Sequence, residues 1–182
     1  MKEERQAATG KGRPMAMKTA SVPATPIGEI EVVGEDRRLT RISEFDRVLG
    51  GGVIPGSVIL IGGDPGIGKT TLLLQALPRL ASPAQPVLYV SGEESPRQIK
   101  MRGQRLGIDH PNLLILAETS LEQILKAIQE IQPAAVVVDS IQTVYTEQIT
   151  SAPGSISQVQ EVAGQLMWFA KRAGVHVFII CH

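Results

Sequence analysis

The chain has few of the residues that mark several common protein classes. Its 182 residues include one cysteine, Cys181, and the aromatic side chains are three Phe, two Tyr and one Trp. A single cysteine excludes an intrachain disulfide and a zinc site built from several cysteines. The scarcity of aromatic residues argues against a platform on which successive nucleic-acid bases stack.

The chain also lacks an excess of charge and a long apolar run. Lys and Arg number 18, and Asp and Glu number 18, so any contact with nucleic acid requires a local basic patch. No apolar stretch approaches about 18 residues, the length needed to span a membrane, and the N-terminus has no hydrophobic signal core. We therefore expect a cytoplasmic protein without membrane contact.

The N-terminal segment differs in composition from the rest. Residues 1–27 are small, polar and mildly basic, contain Pro14, Pro23 and Pro26, and show no apolar period. This composition predicts a flexible linker or tail, with contact to nucleic acid as the alternative. Alternating apolar residues at 29–33 predict a short strand where order begins. The expected domains are a tail over 1–28 and an α/β domain over 29–182.

Residues 63–70, with the sequence GDPGIGKT, match the phosphate-binding pattern G-x-x-x-x-G-K-[ST] at every fixed position. An apolar run precedes them and another follows, which is the strand–turn–helix context that this loop needs. Lys69 supplies a charge for the β- and γ-phosphates of ATP, and the Thr70 hydroxyl is a ligand for Mg²⁺. We assign nucleotide binding to Gly63, Asp64, Pro65, Gly66, Ile67, Gly68, Lys69, Thr70 and Thr71.

Short apolar runs alternate with segments of helical period along the remaining chain. Strands are predicted at 57–62, 86–91, 113–116, 135–139 and 175–181, and helices at 68–77, 95–106, 120–131 and 157–173. This alternation predicts an α/β fold with a parallel sheet and helices on both faces. In such sheets ligands bind at the carboxyl ends of the strands.

Four more polar residues fall at that edge. Asp139 ends a run of apolar residues, as expected of a carboxylate that holds Mg²⁺ through a water. Glu93 and Glu94 follow the second strand, where a carboxylate can activate the attacking water, although simple solvation is the alternative. His182 ends the last strand and is a candidate to sense the phosphate or to donate to the transition state.

Two other groups of residues have simpler interpretations. The helix at 95–106 is basic, which predicts a solvated face, with a DNA or phosphate contact as the alternative; its cations are Arg97, Lys100, Arg102 and Arg105. Trp168 and Phe169 in the long helix are predicted core residues.

Together these motifs resemble the bacterial RadA (Sms) family of DNA-repair and recombination ATPases, within the RecA superfamily. The resemblance covers roughly residues 37–182 and is carried by segments 48–52, 62–70, 89–95, 139–145 and 151–155 and by His182. It implies a three-layer RecA-like P-loop core with a mostly parallel sheet. It also implies DNA-stimulated ATP hydrolysis with Mg²⁺, binding of single-stranded or branched DNA, branch migration, and a homo-hexameric ring.

The resemblance also implies roles for individual residues. Glu93 becomes the water-activating carboxylate with Glu94 beside it, Lys69 acts on the phosphates, and His182 becomes a switch between the γ-phosphate and DNA. Residues 145–157 become the DNA-facing loop.

The chain departs from the family pattern at several places. The family has a four-cysteine zinc ribbon before the core, and a Lys-Asn-Arg-Phe-Gly motif and a Lon-protease-like domain after it. We therefore expect an incomplete ATPase domain, truncated at its C-terminal side, with a bare edge on its P-loop strand and a tendency to self-associate. Gln160 stands where the family tends to have an arginine, which removes a candidate DNA or intersubunit contact.

Two other functions stay open. One is a nucleotide-binding module that has lost turnover through truncation. The other is a different regulatory ATPase of the RecA superfamily, which would also carry paired glutamates after the second strand. The Gly-Glu-Glu-Ser context at 92–95 and the Asp-Ser-Ile-Gln-Thr run at 139–143 favour the RadA family.

Overall fold

The computed structural model describes residues 24–30 and 36–182. The chain divides into two compact units, residues 1–33 and 34–182. In the first unit Ile27–Glu29 form a 3₁₀ turn, so the strand predicted to begin at Glu29 is wrong at its start. The remainder of that predicted strand, and the predicted tail up to residue 23, lie outside the described residues.

The second unit is built on a five-stranded sheet whose paired strands all run parallel. The strands are β1 Val58–Gly62, β2 Val87–Ser91, β3 Leu113–Ala117, β4 Ala135–Asp139 and β5 His176–Cys181. Their order is β1-β5-β4-β2-β3. Every strand predicted over residues 57–181 is present, because each is a short apolar run with a clear boundary.

Among the described residues, one α-helix precedes β1 and four connect the strands. They are α1 Ser43–Val48, α2 Lys69–Ala76, α3 Pro96–Arg105, α4 Leu121–Ile131 and α5 Ile156–Ala173. A 3₁₀ turn that contains Pro78 follows α2, since proline cannot continue the α-helical hydrogen-bond pattern. At the start of α3, Ser95 and Gln98 form a capping box.

The helices cover both faces of the sheet and create two apolar layers. On one face α4 and α5 pack against the strands through Leu121, Ile124, Ile128, Val162 and Leu166. On the other face α1, α2 and α3 do so through Phe45, Leu73, Leu74 and Ile99. The central strands β2 and β4 are buried along their whole length. The three-layer, parallel, RecA-like fold is therefore confirmed.

Among the described strands, β1 lies at one edge of the sheet, next to β5 alone. Its central residue Leu60 has 64% of its surface exposed. β5 lies between β1 and β4. No helix of the described residues is long and apolar enough to cross a lipid bilayer.

Trp168 was predicted to be a core residue, and this prediction is wrong. More than half of the side chain is exposed, and the Arg172 guanidinium lies 4.5 Å from the ring centroid. The face of α5 toward the sheet is occupied by Val162, Leu166 and Ala170, which are four residues apart. Trp168 lies off that stripe, whereas Phe169 packs partly against the core.

Candidate nucleotide-binding site

A pocket of about 520 Å³ opens where the carboxyl ends of the strands meet. Segments that are distant in the sequence come together there. The lining residues are Pro65, Gly66, Gly68, Lys69, Thr70, Thr71, Ser91, Glu93, Glu94, Arg102, Asp139 and His182. Gly63 and Asp64 face Lys69 through their carbonyl oxygens, and the side chain of Ile67 is exposed.

The loop after β1 has the backbone shape of a phosphate cradle. Gly66 and Gly68 have φ angles of 83° and 103°, in the left-handed region that glycine adopts without strain. A Cβ atom added at either position would meet no atom within 4 Å, so the space beside the loop is open. Gly68 directly precedes α2, and the free N–H groups of a helix N-terminus favour a bound phosphate.

The Lys69 side chain curls back over this loop. Its ammonium donates hydrogen bonds to the carbonyl oxygens of Gly63 at 2.5 Å and Asp64 at 2.8 Å, and the residue is only 6% exposed. These carbonyl oxygens compensate for the burial of the charge. The positive charge is therefore held inside the loop that would receive the phosphates.

Thr70 and Asp139 bring two oxygen-bearing side chains together. The Thr70 hydroxyl donates a 2.8 Å hydrogen bond to Oδ2 of Asp139, and the Tyr89 hydroxyl donates to the same oxygen. Hydroxyl and carboxylate oxygens are hard ligands of the kind that Mg²⁺ prefers, so this donor set fits the ion. Burial, together with the adjacent Asp139 charge, raises the pKa of Tyr89 far above its usual value. The phenol therefore stays a hydrogen-bond donor.

The two adjacent glutamates have different surroundings. Oε1 of Glu93 accepts a 2.9 Å hydrogen bond from the Ser140 hydroxyl, and Nε2 of His182 lies 3.8 Å from the same oxygen. Glu94 forms a 2.9 Å ion pair with Arg102. Arg102 thus engages the Glu94 carboxylate, whereas the Glu93 side chain is about half exposed in the pocket. Glu93 is therefore the better suited of the two to accept a proton from water.

His182 connects this site to the segment after β4. The carbonyl oxygen of His182 accepts a 3.1 Å hydrogen bond from the side chain of Gln142. Gln142 belongs to the 3₁₀ turn Ile141–Thr143, which leads directly into the loop at 145–157.

That loop is anchored at its base by Gln158 on α5, which is 1% exposed. The amide oxygen of Gln158 accepts from the Thr146 backbone N–H at 2.9 Å, and its nitrogen donates to the backbone oxygens of Thr146 and Ser151. The Thr146 hydroxyl donates to Glu122 on α4. Although burial raises the pKa of Glu122, this hydrogen bond and others outweigh it and lower that pKa.

Three residues of the site were missed by the sequence analysis. Arg102 was predicted on a solvated face, but it lines the pocket; nothing in a basic helix indicates which cation turns inward. Tyr89 lies between apolar residues of β2, and the sequence does not show that its hydroxyl reaches Asp139. Ser140 follows Asp139 directly, and its proximity to Glu93 depends on the pairing of β2 with β4.

The parallel sheet, the glycine-rich loop between β1 and α2, and the carboxylate at the end of β4 define a P-loop nucleotide-binding protein with a RecA-like core. Comparison with known families leads to the same class. The chain belongs to the AAA domain family, whose profile matches residues 23–182.

Several curated proteins are similar to this chain over most of its length. DNA repair protein RadA of Bacillus subtilis is 55% identical over 167 residues, which cover 92% of this chain and 36% of that protein. RadA of Halalkalibacterium halodurans is 54% identical, with coverages of 86% and 34%, and RadA of Streptococcus pneumoniae is 43% identical, with coverages of 99% and 43%. The resemblance to RadA is confirmed, and the chain spans less than half the length of these relatives.

A solved structure supports the fold independently. The KaiC-like protein of the archaeon Pyrococcus horikoshii superposes with a TM-score of 0.66, covering 81% of this chain and 72% of that one. Its sequence identity is 22%, so this similarity concerns the fold alone.

Proposed function

We propose that this chain is the ATP-binding and ATP-hydrolysing core of a RadA-type DNA repair protein. One observation carries the proposal. A single pocket holds the P-loop lysine, the Thr70–Asp139 pair and Glu93, which are the groups needed to bind a nucleotide triphosphate and to hydrolyse it.

Binding of ATP is proposed to begin at the P-loop. The backbone N–H groups at 63–71 bind the phosphates, and the Lys69 ammonium turns from its two carbonyl partners toward the β- and γ-phosphates. Thr70 and Asp139 would hold Mg²⁺, which when bound neutralises charge on the phosphate oxygens. We propose that Asp139 acts through a water ligand.

Hydrolysis requires a group that orients the attacking water. We assign this role to Glu93, whose carboxylate is half-exposed in the pocket and is oriented by Ser140. We assign Glu94 a supporting role in that step, because its ion pair with Arg102 holds the Glu94 carboxylate in place beside Glu93. Lys69 stabilises the negative charge that develops on the transferred phosphoryl group.

Coupling to DNA is proposed to pass through His182. Its imidazole lies near Glu93 and its carbonyl is bound by Gln142, which leads into the loop at 145–157. This loop is proposed to face single-stranded or branched DNA, and a homo-hexameric ring is proposed as the working assembly. The similarity to the DNA repair proteins RadA supports this proposal.

The test is ATP turnover with and without single-stranded DNA, in the wild type and in two variants. Glu93→Gln should retain ATP binding and hydrolyse at least about 100-fold more slowly, because a neutral amide cannot accept the proton. Lys69→Ala should weaken binding itself by roughly 10- to 100-fold, as a charged hydrogen-bonding partner is lost. Lys126→Ala, an exposed lysine on α4, is the matched control.

Equal turnover in Glu93→Gln and the wild type would show that Glu93 does not orient the attacking water. ATP binding without turnover in the wild type would favour a nucleotide-binding module instead. Turnover that DNA does not stimulate would favour a different regulatory ATPase of the RecA superfamily.

A further inference from the structure

Tyr89 lies at the centre of β2 and is fully buried. Its ring belongs to the apolar layer that α2 and α3 form against the sheet, together with Leu73, Leu74 and Phe178. A phenylalanine would fill this apolar position as well as a tyrosine does. The hydroxyl therefore calls for a separate explanation.

The strand register directs that hydroxyl to the metal-binding edge. Tyr89 pairs with Val137 of β4, and Ser91 pairs with Asp139. Because side chains alternate along a strand, Val137 and Asp139 point to the same face, one strand repeat apart. A tyrosine beside Val137 therefore reaches along the sheet to the carboxylate of Asp139, where its hydroxyl donates a hydrogen bond to Oδ2.

Two hydroxyl groups thus hold one carboxylate oxygen. Thr70 approaches Oδ2 from the P-loop helix at 2.8 Å, and Tyr89 approaches it from the core. Asp139 is 7% exposed. Hydrogen bonds to a carboxylate are stronger than those between neutral groups. When Thr70 turns toward an ion, the Tyr89 hydrogen bond is the contact from the core that still fixes the carboxylate.

We propose that Tyr89 is a positioning residue for the magnesium site. Its hydroxyl fixes the orientation of the Asp139 carboxylate from the side of the apolar core. The inference rests on the proposed function, since it requires that Thr70 and Asp139 hold Mg²⁺. Hydrogen-bonding partners behind a metal ligand typically contribute 10- to 100-fold to metal affinity. Tyr89 acts on the ion through Asp139 and touches neither the nucleotide nor the ion itself.

The experiment measures the binding of a fluorescent ATP analogue in EDTA and across a Mg²⁺ titration. Tyr89→Phe keeps the ring and removes only the hydroxyl. We expect its half-saturating Mg²⁺ concentration to rise at least about tenfold, with Mg²⁺-free binding within twofold of the wild type. Ser57→Ala is the control, since it also removes one buried hydroxyl, from a residue that does not line the pocket. It should titrate like the wild type.

The possible failures are distinguishable. A wild type whose nucleotide binding does not respond to Mg²⁺ would contradict the proposed function. If the wild type responds to Mg²⁺ but Tyr89→Phe has the same half-saturating Mg²⁺ concentration, only the role of Tyr89 is overturned. This holds whether or not the melting temperature of the variant changes. An equal loss of Mg²⁺-free and Mg²⁺-bound affinity would also overturn it, because that pattern indicates a structural defect.

A second measurement needs no variant that might misfold. The wild type can be labelled with 3-fluorotyrosine, which gives two ¹⁹F resonances because the chain has two tyrosines. Addition of Mg²⁺ to the nucleotide complex should shift the Tyr89 resonance more than that of Tyr145. A Tyr89 resonance that does not respond to Mg²⁺ would overturn the inference.

Discussion

Thr70 and Asp139 are 69 positions apart in the chain, yet the threonine hydroxyl donates a 2.8 Å hydrogen bond to the aspartate carboxylate. The contact is made possible by the strand order, since β5 alone separates the P-loop strand β1 from β4. The two residues therefore meet at the same edge of the sheet although neither strand pairs with the other. The proposed magnesium site thus depends on the whole sheet and not on the P-loop alone.

The ion pair of Glu94 with Arg102 predicts different effects for the two glutamates. Glu94→Gln should reduce turnover by less than about tenfold, against at least about 100-fold for Glu93→Gln, since Glu94 already has a cation as its partner. Steady-state ATPase assays measure both effects. Arg102→Ala should add little to Glu94→Gln, because the two changes remove the same contact.

The control for this pair is Arg97→Ala, an exposed arginine on the same helix that does not line the pocket. It should leave turnover unchanged. Additive losses in the Glu94→Gln/Arg102→Ala double variant would show that the two residues act separately.

The contact of Gln142 with His182 predicts a specific loss of DNA response. Gln142→Ala removes the side-chain hydrogen bond to the His182 carbonyl. We expect DNA stimulation of turnover to fall roughly 2- to 10-fold, the usual contribution of one such bond, with nucleotide affinity retained. Gln129→Ala is the control, because Gln129 is an exposed glutamine on α4 that lies outside both the loop at 145–157 and the nucleotide pocket. Equal stimulation in Gln142→Ala and the wild type would contradict this route of coupling.

His176 at the start of β5 predicts a loss of stability in mild acid. Burial lowers its pKa below the usual value of 6.5; a hydrogen bond to the Ile54 carbonyl opposes this effect, and the Arg38 charge adds to it. Below about pH 6.5 the unfolded chain therefore binds a proton at this residue that the folded chain excludes. The free energy of unfolding should be unaffected by this group above pH 6.5 and should decrease as the pH falls below it.

Denaturant unfolding of the wild type and His176→Gln between pH 5 and 8 measures this effect. The variant should be less stable at pH 8, because it lacks the buried ring, but its stability should change less between pH 7 and 5. Parallel pH profiles for the two proteins would rule out His176 as the source.

The exposed edge of β1 predicts self-association without nucleotide. Leu60 is 64% exposed on a strand that pairs on one side only within the described chain, and such edges pair with other chains. Leu60→Lys should raise the dissociation constant by roughly tenfold or more, because burial of a leucine is lost and a charge is added. Sedimentation velocity over a concentration series measures the shift.

Ile156→Lys provides the comparison, since Ile156 is an exposed apolar residue on α5. It should associate like the wild type. A sharp monomer at every concentration in the wild type would contradict the prediction.

The fold was predictable because its signals are local. Each strand is a short apolar run, and the α3 start at Ser95 and the P-loop glycines are specified by residues close in sequence. The meeting of Glu93, Asp139 and His182 in one pocket was predictable for a related reason: each lies at or just after the end of a strand, and the carboxyl ends of parallel strands share one edge.

The directions of long side chains were not predictable. Arg102 turns toward Glu94, and Trp168 turns to solvent, because the packing of α3 and α5 on the sheet fixes which side of each helix faces outward. The contact of the Tyr89 hydroxyl with Asp139 depends on the register of β2 with β4, and no local sequence pattern specifies that register. At the N-terminal side, the alternation at 29–33 was too short to distinguish a strand from the 3₁₀ turn at Ile27–Glu29.

The most direct test of the account identifies the nucleotide that remains bound after incubation with ATP and Mg²⁺. After rapid gel filtration and denaturation, chromatography should find ADP as product in the wild type and intact ATP in Glu93→Gln, with similar amounts of nucleotide bound by both. Glu130→Gln, at an exposed glutamate on α4 that does not line the pocket, is the matched control and should resemble the wild type. If the Glu93→Gln protein contains ADP in the same proportion as the wild type, this pocket does not use Glu93 for hydrolysis and the central claim fails.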